Sequence, residues 1–359
     1  MCPSTTCSSR VCAAAAGWLL AAWLAAVPAR ADQVLAGPDN FPRGRVIGFA
    51  GGVLRFLTPD GVTHRISIAR IDQVVVDNFA WAKDFNAAEG YLARQEPGSA
   101  AVRYERALRV AGDFWPDLIR LRLLQARDRA GHFNEAVVQF LHVAAAMPDT
   151  ALGLVPTCIP DTPGDRTRRA LERLDEALRR QVGKPAEAPL QVFRFAILEK
   201  VEPDRAAELA RVVVRLTAPE SEFGGRDALR SVQVRALQRL QQQGRSADVV
   251  AGVDRLLADA PEAIVPDLLL LKGRSLYTSA LESGSAEEFK QAGLAFMRVA
   301  IHYPSDARAG DALLWAARVH ERIQRPAQAV QLLRECLARE NVSSGTRSDA
   351  QTLLRQLTG

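Results

Sequence analysis

The stretch Ala292-Gly-Leu-Ala-Phe-Met-Arg-Val-Ala-Ile-His-Tyr-Pro304 decides the fold of this 359-residue chain. Small residues, an aromatic residue and a valine recur in it at intervals of three and four, which is the period of an α-helix with one apolar face. A proline closes the run, and another helical run follows after a short turn. The pattern predicts one member of an antiparallel pair of helices.

Similar runs, each about 12–18 residues long, fill the chain from residue 79 to its end and are separated by proline and glycine. Corresponding small and large residues, four positions apart, are Ala100 and Tyr104, Ala136 and Phe140, Ala292 and Phe296, and Ala329 and Leu333. The alanines are 36 positions apart in the first two runs and 37 in the last two. We expect the alanines where two helices approach closely, and the larger residues in the gap to the next pair.

This pattern resembles the tetratricopeptide repeat, and the segment around Pro304 resembles the extended-turn repeats of cell-envelope proteins. The resemblance implies a mostly α protein, an α-solenoid of stacked helix pairs over residues 79–359. Repeats are clear over 79–148 and 263–359 and degenerate over 166–262, and a proline-rich break separates them at 149–165. An unrelated helical array with coincidental alanines is the alternative.

Solenoids of this family bind partners in a concave groove lined by the first helix of each pair. By register with the family, the residues expected to face the groove are Phe85, Glu89, Gln125, Asp128, Arg318 and Glu321. The competing interpretation of all six is ordinary solvated helix surface.

A small β module is predicted over residues 32–78, before the helices. Short β-prone runs surround Gly51-Gly52, and Asp60-Gly61 marks a hairpin between alternating apolar and polar residues. Four or five strands in about 35 residues indicate a small meander or a partly open SH3-like barrel, which is too small to bury a core alone. We expect it to pack on the helices through Val74, Val76, Phe79 and Trp81.

Residues 1–31 read as a signal peptide. Arg10 precedes an apolar run over 11–27, and Ala29-Arg30-Ala31 forms a small-residue cleavage site. We expect cleavage after Ala31 and export to the periplasm or the extracellular space, with no membrane span in the mature protein. A retained membrane anchor is the alternative, but the run is short and rich in alanine.

Composition and motifs indicate no catalytic or cofactor chemistry. Phosphate loops, dinucleotide-binding glycine motifs, zinc-protease motifs and nucleophile elbows are missing from the sequence, and its five histidines have no metal-ligand spacing. The formal charge of +5 is too small for a nucleic-acid-binding surface, and residues 166–180 mix acids with bases as a solvated helix does. Outside the leader only Cys158 and Cys336 remain, which could pair but are more typical of small core residues.

The sequence therefore predicts an exported, non-enzymatic scaffold or adaptor of the cell envelope that needs no cofactor or metal and binds a protein or peptide in the solenoid groove. The alternative is a protein that binds glycan or peptidoglycan through the β module. The aromatic residues of the module are the candidates for such binding, and the competing interpretation of the module is a structural cap for the helical stack.

Overall fold

The computed structural model describes residues 31–77, 79–217 and 225–359. The expected leader, except for Ala31, lies outside these residues. Contacts divide the chain into two compact units, the first ending at Ile119 and the second beginning at Arg120. The sheet thus shares a unit with the first two helices, whereas the sequence pattern placed a boundary at residue 78, where strands give way to helices.

The β module is a five-stranded antiparallel sheet in the order β4-β3-β2-β1-β5. Its strands are β1 (Asp32–Ala36), β2 (Asp39–Ala50), β3 (Val53–Leu57), β4 (Thr63–Ser67) and β5 (Gln73–Val75). Strands β1 to β4 form a meander, and β5 returns to pair with β1. Both predicted turns are present: Gly51, Gly52 and Gly61 have positive φ, which glycine adopts without steric cost. Sequence analysis placed no strand at β1.

The helices of the described residues follow the predicted periodicity. The first unit contains α1 (Ala82–Ala93), α2 (Pro97–Leu108) and the start of α3 (Trp115–Arg129). The second contains α4 (Phe133–Ala146), α5 (Pro148–Leu152), α6 (Asp165–Gln181), α7 (Glu187–Val201), α8 (Pro203–Arg215), α9 (Gly225–Gln242), α10 (Ser246–Leu257), α11 (Val265–Ser283), α12 (Ala286–His302), α13 (Arg308–Arg322), α14 (Pro326–Ala338) and α15 (Ser344–Thr358). Within the described residues, no helix is both long and apolar enough to cross a membrane.

The sheet packs on α1 through the residues expected to do so. Val74, Val76 and Trp81 are buried, whereas Phe79 stays 40% exposed and stacks on Trp81 with ring centroids 4.8 Å apart. Asn86 of α1 accepts a hydrogen bond from the Val76 N–H at 2.9 Å and donates one to the Val76 carbonyl at 2.7 Å. The helix therefore gives the small sheet the core that its own length cannot supply.

Small residues lie where neighbouring helices come closest. Fully buried alanines and their larger partners occupy all eight predicted positions: Ala100, Tyr104, Ala136, Phe140, Ala292, Phe296, Ala329 and Leu333. A Cβ added to Gly273 of α11 would lie 2.4 Å from the Phe296 ring of α12. Such a distance leaves no room for a side chain, so the spacing of these helices depends on the small residue.

The middle of the chain, where the repeat pattern is degenerate, is still built from regular helices, α6 to α10. There the close approach uses a glycine: a Cβ on Gly252 of α10 would lie 2.6 Å from Leu237 and 2.7 Å from Val214. A search for alanines misses this position, because glycine fulfils the same steric requirement. Successive helices from α6 to α15 contact one another, and α9 with α11, α11 with α13 and α13 with α15 also make contact.

Candidate functional site

Two of the six residues expected to face a groove are buried inside the first unit. Phe85 is fully buried among the rings of Trp81, Tyr104 and Trp115. The carboxyl group of Glu89 accepts hydrogen bonds from the Val74 N–H at 2.8 Å and from the Tyr104 hydroxyl at 2.5 Å. Neither side chain offers surface to a partner, so the groove expectation is wrong for both. Glu89 is covered by β5 of the neighbouring sheet, whose Val74 N–H it binds.

Asp128 holds a proline-rich strap, the segment 153–161, against the end of α3. Its carboxylate accepts hydrogen bonds from the Thr157 N–H at 2.7 Å, the Thr157 hydroxyl at 2.9 Å and the Cys158 N–H at 2.8 Å. These bonds occupy both carboxylate oxygens, so Asp128 orders the chain rather than presenting a free charge. Gln125, one turn earlier, is half-buried and accepts a hydrogen bond from Arg122 at 3.2 Å.

The strap forms one wall of a groove of about 470 Å³, whose other walls are α7 and α9. Its floor is apolar and includes Leu152, Ile159 and Val192. Lys200 fixes the far end of the strap by donating to the Ile159 carbonyl at 3.1 Å and to Asp161 at 3.0 Å. The groove is therefore formed before any ligand arrives.

Arg318, the fifth predicted residue, belongs to a cation–aromatic cluster on α11, α13 and α15. Its guanidinium lies 4.6 Å from the ring centroid of half-buried Trp315 and pairs with Asp349 at 2.9 Å. Arg274 of α11 lies 5.3 Å from the same ring and 3.6 Å from Asp311. Together they place a tryptophan and two arginines, side chains enriched among the strongest contributors to protein interfaces, on one surface.

Glu321, the sixth predicted residue, is half-buried near the end of α13, one turn beyond Arg318. The structure therefore brings Arg318 and Glu321 onto the same helix. Sequence reasoning missed Arg274, because α11 and α13 become neighbours only through packing.

Burial governs the ionisation of the two cysteines outside the leader. Burial and the hydrogen bond with Asp128 raise the pKa of Cys158 to about 12, so its thiol is protonated at neutral pH. Burial also raises the pKa of Cys336, whose thiol donates to the Gly310 carbonyl at 3.3 Å. Both cysteines are free. Among the described residues, no group of three or more histidine, cysteine, aspartate or glutamate side chains is arranged to hold a metal ion.

Comparison with known proteins leaves the residues as the only guide to function. No family model matches the chain, and no curated protein matches it in sequence.

Proposed function

We propose that this chain is an exported, non-enzymatic scaffold of the cell envelope, a solenoid of tetratricopeptide-like helix pairs that binds a protein or peptide. The contacts of α11 with α13 and of α13 with α15 support a stack, because first helices of successive pairs are neighbours in a solenoid. The leader pattern supports export.

The observation that carries the proposed binding is the cluster of Trp315, Arg274 and Arg318. Trp315 packs on the core rings of Tyr277 and Phe296, and the two guanidinium groups beside it complete a set of side chains from which interfaces gain affinity. Asp349 and Asp311 hold the arginines in place, which reduces the entropy lost on binding.

Site-specific crosslinking tests this function. A photoreactive amino acid replaces Glu321 in the full chain, and the chain is expressed in a host that exports it. In a matched control the same amino acid replaces Arg334, which is exposed on the second helix, α14. We expect a discrete crosslinked partner from position 321 only, reduced when Arg318→Glu is added. Identical products from both positions, or none from position 321, would refute binding at this surface.

The alternative, glycan binding by the sheet, is favoured by one ring pair. Phe49 and Phe56 are buried, but Phe41 is half-exposed and lies 4.8 Å from the His64 ring. If this pair binds sugar, Phe41→Ala will lower retention on peptidoglycan while the crosslink from position 321 is unchanged. Equal retention of Phe41→Ala and the unsubstituted protein on peptidoglycan would exclude Phe41 and His64 as a glycan site.

A further inference from the structure

Helix α6 carries a stripe of four arginines, three of which have no ion-pair partner among the described residues. At 100° per residue, Arg166, Arg169, Arg173 and Arg180 fall within an arc of about 60° on the helix surface. Arg180 pairs with Glu176. Among the described residues, no carboxylate lies within ion-pair distance of Arg166, Arg169 or Arg173, all of which are exposed.

Arginines outside the stripe, on α6 and α7, do have ion-pair partners. Arg168, on another side of α6, pairs with Asp165 at 2.8 Å, and Arg194 of α7 pairs with Asp175 at 2.9 Å. Asp165, Glu172 and Asp175 thus pair with arginines outside the stripe, whereas Glu176 lies at its edge and pairs with Arg180. The stripe therefore keeps a positive charge that the rest of the helix does not share.

The stripe borders a groove of about 250 Å³ between α4, α6 and α7. Arg173 and Arg180 line it, and its apolar part includes Leu141, Ala177 and Leu190. Partial burial, and then the charge of Arg120, lower the pKa of His142 at its edge. Glu176 also lines the groove and pairs with Arg180, so the net positive charge of the groove at neutral pH is that of Arg173, continued along α6 by Arg169 and Arg166.

We propose that this basic groove binds an acidic peptide segment, with carboxylates along the α6 arginines and an apolar side chain between α4 and α7. Charge complementarity selects the carboxylates, because guanidinium groups bind them in a two-pronged geometry. The concave apolar part favours a protruding side chain over a flat anionic membrane. This proposal deepens the proposed scaffold function by giving a second surface and the chemistry of its ligand.

Fluorescence anisotropy of the mature chain, residues 32–359, with synthetic peptides tests the proposal. The probe is a labelled 12-residue peptide of glutamates with one central leucine, and two comparison peptides replace the leucine by serine or the glutamates by lysine. We expect saturable binding of the probe that weakens with salt, weaker binding of the serine peptide and no binding of the lysine peptide.

Charge reversal locates the site. The double variant Arg169→Glu, Arg173→Glu should weaken binding at least tenfold, because each change replaces an attraction by a repulsion. Arg179→Glu is the matched control: Arg179 is exposed on the same helix but about 100° away from Arg180, and should change affinity less than twofold. Circular dichroism checks that all variants keep their helices.

Three results would overturn the proposal: equal affinities of the double variant and the control, equal binding of the leucine and serine peptides, or binding to anionic phospholipid vesicles but not to the probe. The proposed scaffold function has a separate test. A partner crosslinked at position 321 and unaffected by the double variant would leave that function standing while this site failed.

Discussion

Glu89 should be among the side chains most important for the stability of the first unit. Glu89→Ala removes two hydrogen bonds, leaves the buried Val74 N–H without this acceptor and deletes one buried methylene group. An unsatisfied buried donor costs about 1–3 kcal/mol, and each methylene contributes about 0.8 kcal/mol. The expected loss in the free energy of unfolding is about 2–4 kcal/mol, a large part of the stability of an ordinary domain.

Hydrogen exchange measured by mass spectrometry is the assay suited to this variant, because it reports separately on each segment of the chain. In Glu89→Ala, the peptide containing Val74 should exchange much faster, since β5 loses the hydrogen bond from the Val74 N–H to α1. Tyr104→Phe removes one of the two hydrogen bonds and should cost about 1 kcal/mol.

The control is Glu96→Ala, an exposed glutamate paired only with Arg94 at 3.3 Å, which should cost less than about 1 kcal/mol. Equal exchange in Glu89→Ala and Glu96→Ala would refute a stabilising role for this carboxyl group.

Three further predictions concern the second unit. Ala292→Leu should lower the free energy of unfolding by about 1–3 kcal/mol, because the alanine is fully buried between helices; thermal unfolding measures this. Gly273→Ala should lower Tm despite the better helix propensity of alanine, because its Cβ would overlap the Phe296 ring. Cys158, with a pKa of about 12 against an ordinary 9.0, should react slowly with iodoacetamide at pH 8 and faster in Asp128→Asn. The folded state disfavours the Cys158 thiolate relative to the unfolded state. The protonated thiol therefore makes its full contribution to the free energy of unfolding below pH 9, and that contribution declines as the pH rises from 9 towards 12.

Matched variants separate these effects from general damage. Leu294→Ala truncates a side chain that is 66% exposed on the helix of Ala292, and should leave Tm nearly unchanged. Gly98 of α2 has no atom within 4 Å of an added Cβ, so Gly98→Ala should leave Tm unchanged or raise it. A Gly273→Ala protein as stable as Gly98→Ala, an unchanged Tm in Ala292→Leu, or rapid alkylation of native Cys158 would each contradict the packing described above.

The sequence by itself determined the local structure and the closest helix contacts. Helical periodicity, turn glycines and the alanines at positions such as Ala100 and Ala292 are local signals, because secondary structure and steric fit depend on nearby residues. The hairpin at Asp60-Gly61 was readable for the same reason: the backbone there needs a positive φ. Gly252 was missed only because the pattern was sought in alanines.

Only the tertiary structure decided which polar side chains are available. Glu89 and Arg318 look alike in sequence as charged residues within predicted helices, yet one is buried against the sheet and the other lies over Trp315. The difference arises because β5 covers Glu89 and α11 brings Arg274 beside Trp315, and both elements are distant in sequence from these residues. Periodicity gives the face of a helix, but it does not say which neighbour packs on that face, because this depends on long-range contacts that leave no local pattern.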